Sequence, residues 1–207
     1  MVDALKTRSG RKASQRADEL LPLIGLIQGQ GARSYLEIGA RHGDTWHEVM
    51  RHLPVGSIGV AVDLPGGRWG TTKSAAHLRE AREDLRRMGY RAHTLFGDSG
   101  DPGMIERVAK RRREAGGLFD AALIDGDHLY AGVSADWRTY GAMARLVAFH
   151  DVAGHGETTR DGQSTPVEVP RLWAEIRGGY RSIEIVGEGS TMGFGVIWPG
   201  EPARRAA

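Results

Sequence analysis

Five short apolar runs in this sequence each end on acids, histidines or glycines. Tyr35-Leu36-Glu37-Ile38-Gly39 leads into Ala40-Arg41-His42-Gly43, Ile58 to Val62 stops at Asp63, and Ala92 to Phe96 passes into Gly97-Asp98-Ser99. Ala121 to Ile124 ends in Asp125-Gly126-Asp127-His128, and Leu146 to Phe149 ends in His150-Asp151. Carboxylates and imidazoles gathered in this way can accept bonds from hydroxyls, move protons or ligate a divalent cation. They can act together only if the runs are neighbouring parallel strands, because ligands of an open parallel sheet sit outside the carboxyl ends of its strands.

The segments between the runs have a helical period. Trp46, Val49, Met50 and Leu53 follow i, i+3, i+4, i+7, with Asp44 expected as the N-cap and Pro54 and Gly56 as the stop. A second helix is expected over residues 72–88, with Leu78, Leu85 and Met88 on one face and Gly89 at its end. A third opens at Asp101-Pro102, with Ile105 and Val108 inward, and a fourth carries Val133, Trp137 and Tyr140. Asp18 to Gln28 carries Leu20, Leu21, Leu23, Ile24 and Ile27, a short helix suited to covering one sheet edge. Strands alternating with helices predict an α/β fold, a mostly parallel sheet with helices on both faces. Arg181–Val186 and Met192–Trp198 flank Gly187-Glu188-Gly189-Ser190 and predict a hairpin, so the last strand runs antiparallel to its neighbour. Residues 152–168, rich in Gly, Thr, Ser and charge, read as a long irregular lid or binding loop.

A chain of 207 residues suits one domain, expected over 17–200, between a flexible basic arm over 1–16 and a tail over 201–207. Hydrophobic content of 40% and charged content of 26% are ordinary for a globular chain. No apolar run reaches the ~20 residues of a membrane helix, and the first sixteen residues lack the apolar core of a secretory signal. The chain has no cysteine, which excludes disulfides, thiolate ligands and cysteine nucleophiles and suits a cytoplasmic location. Basic residues cluster at Lys6–Arg16, Lys110–Arg113 and Arg204-Arg205, yet the net charge is only +2. These clusters read as solvated faces and chain ends, not as a nucleic-acid groove. A membrane partner is not expected, and a homodimer is left open.

The first turn narrows the ligand. A dinucleotide-binding turn needs G-x-G-x-x-G, so that backbone amides meet a pyrophosphate. Here the spacing is Gly39-x-x-x-Gly43, and the flanking Glu37 and Asp44 would repel phosphate while tolerating a cation. Asp63 ends the second strand, where an acid typically holds ribose hydroxyls. An adenosyl ligand with a cationic amino-acid tail and no phosphate satisfies all three acids, which describes S-adenosylmethionine. The blander alternative is that Gly39 and Gly43 merely permit close strand–helix packing.

Leu36-Glu37-Ile38-Gly39-Ala40-Arg41-His42-Gly43, Val62-Asp63, Phe96-Gly97-Asp98-Ser99, Leu123-Ile124-Asp125-Gly126-Asp127-His128 and Ala148-Phe149-His150-Asp151 together resemble class I S-adenosylmethionine-dependent methyltransferases. Within these the sequence is similar to the small branch of metal-assisted O-methyltransferases and cephalosporin-hydroxylase-like proteins, over about residues 33–198. The resemblance implies a Rossmann-like doubly wound, mostly parallel seven-stranded sheet with an antiparallel C-terminal hairpin strand. It implies that Glu37, Gly39, Ala40 and Gly43 border the methionine moiety, with Asp125 also at the cofactor. Asp63 would hold the ribose, and Asp98 with Ser99 would face adenine. It further implies a small-molecule hydroxyl acceptor and a divalent cation (Mg2+, Mn2+ or Fe2+) on Asp125, His150 and Asp151, with His150 standing where an acid is common. Asp125, His128 and His150 are the candidate catalytic residues, His128 being the base if no metal takes part.

Plainer roles stand beside these. Asp125 could cap a turn, His150 could hydrogen-bond across strand ends, and Asp127 could cap the following helix. His155 could reach substrate from the expected lid. Trp69, Trp173 and Trp198 read as packing, and the loop from Gly66 to Gly70 could wall the cofactor or the acceptor. A nicotinamide oxidoreductase, a non-catalytic adenosyl-ligand binder and a nucleic-acid methyltransferase are the competing functions.

Overall fold

A computed structural model describes residues 15–67, 73–154, 156–160 and 163–203. The five apolar runs are five parallel strands: β1 (Ser34–Ile38), β2 (Ile58–Asp63), β3 (Arg91–Phe96), β4 (Phe119–Ile124) and β5 (Ala144–His150). A hairpin, β6 (Gly156–Arg160) with β7 (Gln163–Val167), forms a separate two-stranded sheet. The chain closes with β8 (Tyr180–Ile185) and β9 (Phe194–Pro202), and β9 lies antiparallel to both β5 and β8. The seven-stranded sheet has the order β3-β2-β1-β4-β5-β9-β8. Its strand order reverses between β1 and β4, which leaves a crevice at their carboxyl ends.

The helices are α1 (Ala17–Gly29), α2 (Asp44–Arg51), α3 (Ser74–Arg87), α4 (Pro102–Glu114), α5 (Tyr130–Tyr140) and α6 (Val169–Ile176). Every residue of β1 and β2 is buried, as central strands covered on both faces require. Leu36, Ile38, Val60, Ile124 and Phe149 share a core with Met104, Val108, Val133 and Trp173 from α4, α5 and α6. Tyr35, Ala61, Leu123 and Leu146 point the other way, to Leu23, Trp46, Val49 and Leu78 from α1, α2 and α3. Each fully buried leucine or valine contributes about 1.5–3 kcal/mol, so the two layers hold the strand ends rigidly in register. Among the described residues, no helix is long and apolar enough to cross a membrane.

Two local expectations need correction. The N-cap of α2 is Gly43 (φ 81°, ψ 14°), not Asp44, which is already the first helical residue. The turn from β1 into α2 is so tight that Arg41 is left-handed as well, and a glycine finishes it. The stretch over 152–168 is not an irregular loop, because most of it is the β6–β7 hairpin. The sequence Gly156-Glu157-Thr158-Thr159-Arg160 and Gln163-Ser164-Thr165-Pro166-Val167 has no apolar alternation to betray it; its signals are the threonines and the Asp-Gly dipeptide of the sequence. Two residues of the expected arm over 1–16 are held in place. Gln15 is buried, and Arg16 is fastened to Asp18 at 2.7 Å and to the Glu188 carbonyl at 3.2 Å. Residues 1–14 lie outside the described residues.

Candidate functional site

The turn after β1 is stitched to both neighbours. Gly39 N–H and Ala40 N–H donate to the Val62 carbonyl at 2.9 and 3.1 Å, and Asp125 N–H donates to the Ile38 carbonyl at 2.9 Å. A Cβ on Gly39 would stand 2.1 Å from the Asp125 carbonyl oxygen, and one on Gly43 would stand 2.7 Å from Leu78 Cδ1. Both glycines therefore serve close packing of the chain on itself. That packing draws the ends of β1, β2 and β4 together.

Around this turn stand the expected acids. Glu37 is 2% exposed, and its Oε2 accepts from the Tyr35 hydroxyl at 2.7 Å. Burial pushes its carboxyl up to about 8, with the Asp125 and Asp44 charges adding to the rise and the Tyr35 and Trp46 hydrogen bonds opposing it. Asp63 Oδ1 accepts from the Arg41 backbone N–H at 2.8 Å, whereas its Oδ2 is buried with no hydrogen-bond partner among the described residues. Burial raises Asp63 to about 6. At the next strand end, Asp98 Oδ1 accepts from Gly100 N–H at 2.8 Å, and the Ser99 carbonyl accepts from the Tyr140 hydroxyl at 2.6 Å.

Sequence reasoning passes over Asp136, whose buried carboxyl bonds to the Ser99 side chain and is raised by burial to about 6. Its signal was present: an acid between Val133 and Tyr140 at helical spacing, on the inward face of α5.

The ends of β4 and β5 hold the densest group. His128 Nδ1 lies 2.7 Å from Asp151 Oδ2, and His128 Nε2 lies 3.9 Å from Asp125 Oδ1. His150 Nδ1 lies 3.3 Å from Asp125 Oδ1 and 3.3 Å from Asp151 Oδ1. Asp151 adopts φ 63°, a strained left-handed conformation for a non-glycine residue and a frequent mark of a functional site. Asp125, His128 and Asp151 each offer one ligand atom, and these atoms lie within 4.8 Å of one another. This set differs from the expected Asp125, His150 and Asp151. The His150 ring lies 4.9 Å from that of Phe194, and its Nε2 has no partner among the described residues.

Burial disfavours both imidazolium ions, but the carboxylates outweigh it. The charges and bonds of Asp125 and Asp151 raise His150 to about 10 and also raise His128. Burial likewise opposes ionisation of Asp151, yet the two histidines hold it well below the usual carboxylate range.

Asp127 Oδ1 accepts from Leu129 N–H at 3.0 Å and so caps the turn before α5, not α5 itself. Trp173 and Trp198 are buried in the core, as expected of packing residues. Trp69 and His155 fall outside the described residues, as do Arg68 and Gly70 of the glycine-rich loop.

No protein-family model and no curated protein sequence matches this chain. Solved structures do match it. The O-methyltransferase TomG from Streptomyces achromogenes, involved in tomaymycin synthesis and bound to S-adenosylmethionine, superposes with a TM-score of 0.59 at 18% identity, over 90% of this chain and 81% of TomG. The fold is that of the Rossmann-like methyltransferases. An O-methyltransferase from Bacillus cereus in complex with SAH has the same methyltransferase fold, with a TM-score of 0.54 at 18% identity over 86% of this chain and 80% of the other. A cofactor-bound protein from MTB, Rv0187, superposes with a TM-score of 0.64 at 20% identity, over 92% of this chain and 84% of its own.

Proposed function

We propose that this chain is an S-adenosylmethionine-dependent methyltransferase acting on a hydroxyl of a small molecule, with a divalent cation at Asp125, His128 and Asp151. The observation that carries this reading is the convergence of those three side chains at the β4 and β5 ends, on the sheet edge where Asp63 Oδ2 is buried without a partner among the described residues. An oxygen in that state suits a ribose hydroxyl, which would donate to it. Two carboxylates and one imidazole suit Mn2+ or Fe2+ and also admit Mg2+. Structural relatives that carry S-adenosylmethionine or SAH support the choice of cofactor.

In this scheme Asp63 holds the ribose, Asp98 and Ser99 face adenine, and Glu37 lies toward the cationic amino-acid tail. Gly39, Ala40 and Gly43 shape the turn beneath that tail. S-adenosylmethionine supplies an electrophilic methyl group, and the divalent cation supplies Lewis acidity that lowers the pKa of the acceptor hydroxyl. The chain's remaining work is alignment, which can contribute several kcal/mol to lowering the barrier. His150 holds Asp125 and Asp151 in place through Nδ1 and does not touch the acceptor.

The 2.7 Å contact of His128 Nδ1 with Asp151 favours a second reading without metal. Asp151 would orient the ring, and Nε2 would take the acceptor's proton, a contribution of ~10²–10⁴-fold. His128 serves in both schemes, so His128→Ala impairs both, and chelation is what separates them. The test follows methyl transfer from labelled S-adenosylmethionine across a panel of small hydroxyl compounds, with and without chelator. Loss of transfer on chelation, with recovery on adding Mn2+ or Mg2+, is expected. Transfer that survives chelation assigns the histidine-base mechanism. Binding of NAD with no binding of SAH would overturn the methyltransferase reading altogether.

A further inference from the structure

The segment before α1 sends one side chain into this site. Gln15 is 6% exposed; its Nε2 donates to Asp125 Oδ2 at 3.0 Å, and its Oε1 accepts from the Thr45 hydroxyl at 2.5 Å. A primary amide has one donor end and one acceptor end. A buried amide must be satisfied at both, or its burial is costly. The Asp125 carboxylate only accepts and so takes the Nε2 end of Gln15, while the Thr45 hydroxyl, in the first turn of α2, donates to the Oε1 end and holds the amide in that orientation.

The two oxygens of Asp125 are thereby divided. Oδ2 is engaged by Gln15, while Oδ1 faces His150 Nδ1 at 3.3 Å and His128 Nε2 at 3.9 Å. The backbone that carries Gln15 is itself anchored. Arg16 is held by Asp18 and by the Glu188 carbonyl, and Glu19 Oε1 accepts from Gly187 N–H at 3.0 Å.

We infer that Gln15 is a positioning residue for Asp125, locking the carboxylate so that one defined oxygen is presented to a divalent cation. This role rests on the cation reading above. It follows the general behaviour of metal sites, in which hydrogen-bond partners of the ligands set ligand orientation, and their loss typically weakens metal binding ~10–100-fold. Neither the apolar periodicity nor the strand-end motifs point to Gln15, because it stands in a polar, basic stretch and acts only across the fold.

The test is a Mn2+ titration followed by electron paramagnetic resonance, with SAH calorimetry and thermal melting in parallel. It uses the whole protein and its Gln15→Leu, Thr45→Val and Asp125→Ala variants. Gln15→Leu should weaken Mn2+ binding by ~10–100-fold and leave SAH affinity unchanged. Thr45→Val, which keeps Gln15 but leaves its buried Oε1 without a donor and so loosens the amide, should weaken Mn2+ in the same direction by less. It also keeps the proposal testable if Gln15→Leu does not fold. Asp125→Ala should abolish Mn2+ binding. If Asp125→Ala abolishes it while Gln15→Leu and Thr45→Val bind Mn2+ like the wild type, the role of Gln15 is overturned and the cation site stands. Equal losses of Mn2+ and SAH affinity would mark Gln15 as a general packing residue and also overturn the proposal. If the wild-type protein binds no Mn2+, the cation site and the role of Gln15 fall together.

Discussion

Asp63 and Gly39 show how much chemistry rests on single residues here. Asp63 has its pKa raised by burial to about 6, against a usual value near 3.8. A raised acid holds its proton more tightly in the folded state, so its contribution to stability falls as pH climbs from about 4 to about 6. The ionised carboxylate accepts more strongly from ribose hydroxyls. SAH affinity, measured by calorimetry, should therefore rise between pH 5 and pH 7. Asp63→Asn should weaken binding by about tenfold or more, since a hydrogen bond to a charged group contributes ~1.5–3 kcal/mol, and it should remove the pH step.

Gly39 and Gly56 both have φ 88°, but a Cβ on Gly56 meets nothing within 4 Å among the described residues. Gly56→Ala should cost only the left-handed backbone, about 1–2 kcal/mol. Gly39→Ala should add a clash with the Asp125 backbone, about 1–3 kcal/mol more. Urea denaturation of the two variants separates the terms.

At the scale of elements, the β6–β7 hairpin is the part to watch. It is a two-stranded sheet not paired to the main sheet, and such hairpins are marginal on their own. Its amides should exchange with solvent much faster than those of β4 and β5, as hydrogen exchange would record. Its root is tied to the site, since Glu168 N–H donates to the His128 carbonyl and the Glu168 carboxylate accepts from Tyr130 N–H, both at 2.8 Å. Tyr130 opens α5, whose own N-cap, Leu129, offers no side-chain bond. Glu168 therefore caps this helix from a distant part of the chain. Glu168→Ala should cost about 0.5–2 kcal/mol in chemical denaturation, and Glu168→Gln, which keeps an acceptor, should cost less.

For the whole molecule, ligand linkage is the clearest readout. SAH at ~100 times its dissociation constant should add about 2.7 kcal/mol. In a domain of this size that corresponds to a rise in Tm of roughly 5–10 °C. NAD should produce no rise, because the β1 turn lacks the middle glycine of a dinucleotide site, and Asp44 stands at the start of the helix that follows. A rise with NAD alone would refute the cofactor assignment.

The alternation of apolar runs with helical periods determined the sheet, its two helical layers and the antiparallel end. Burial patterns are local, and each of Leu36, Val60 and Leu123 must choose a face. For the same reason the strand ends announced which acids and histidines share one edge. What tertiary structure alone decided is how those groups pair. Asp125, His128 and Asp151 bring one polar atom each within 4.8 Å of one another, while His150 Nδ1 stands 3.3 Å from both carboxylates and its ring lies 4.9 Å from Phe194. Gln15 reaches Asp125 across 110 residues of chain, and Glu168 caps α5 from 38 residues away. Side-chain direction and long-range hydrogen bonds depend on where distant backbones come to rest, and neither residue type nor spacing along the chain encodes that position.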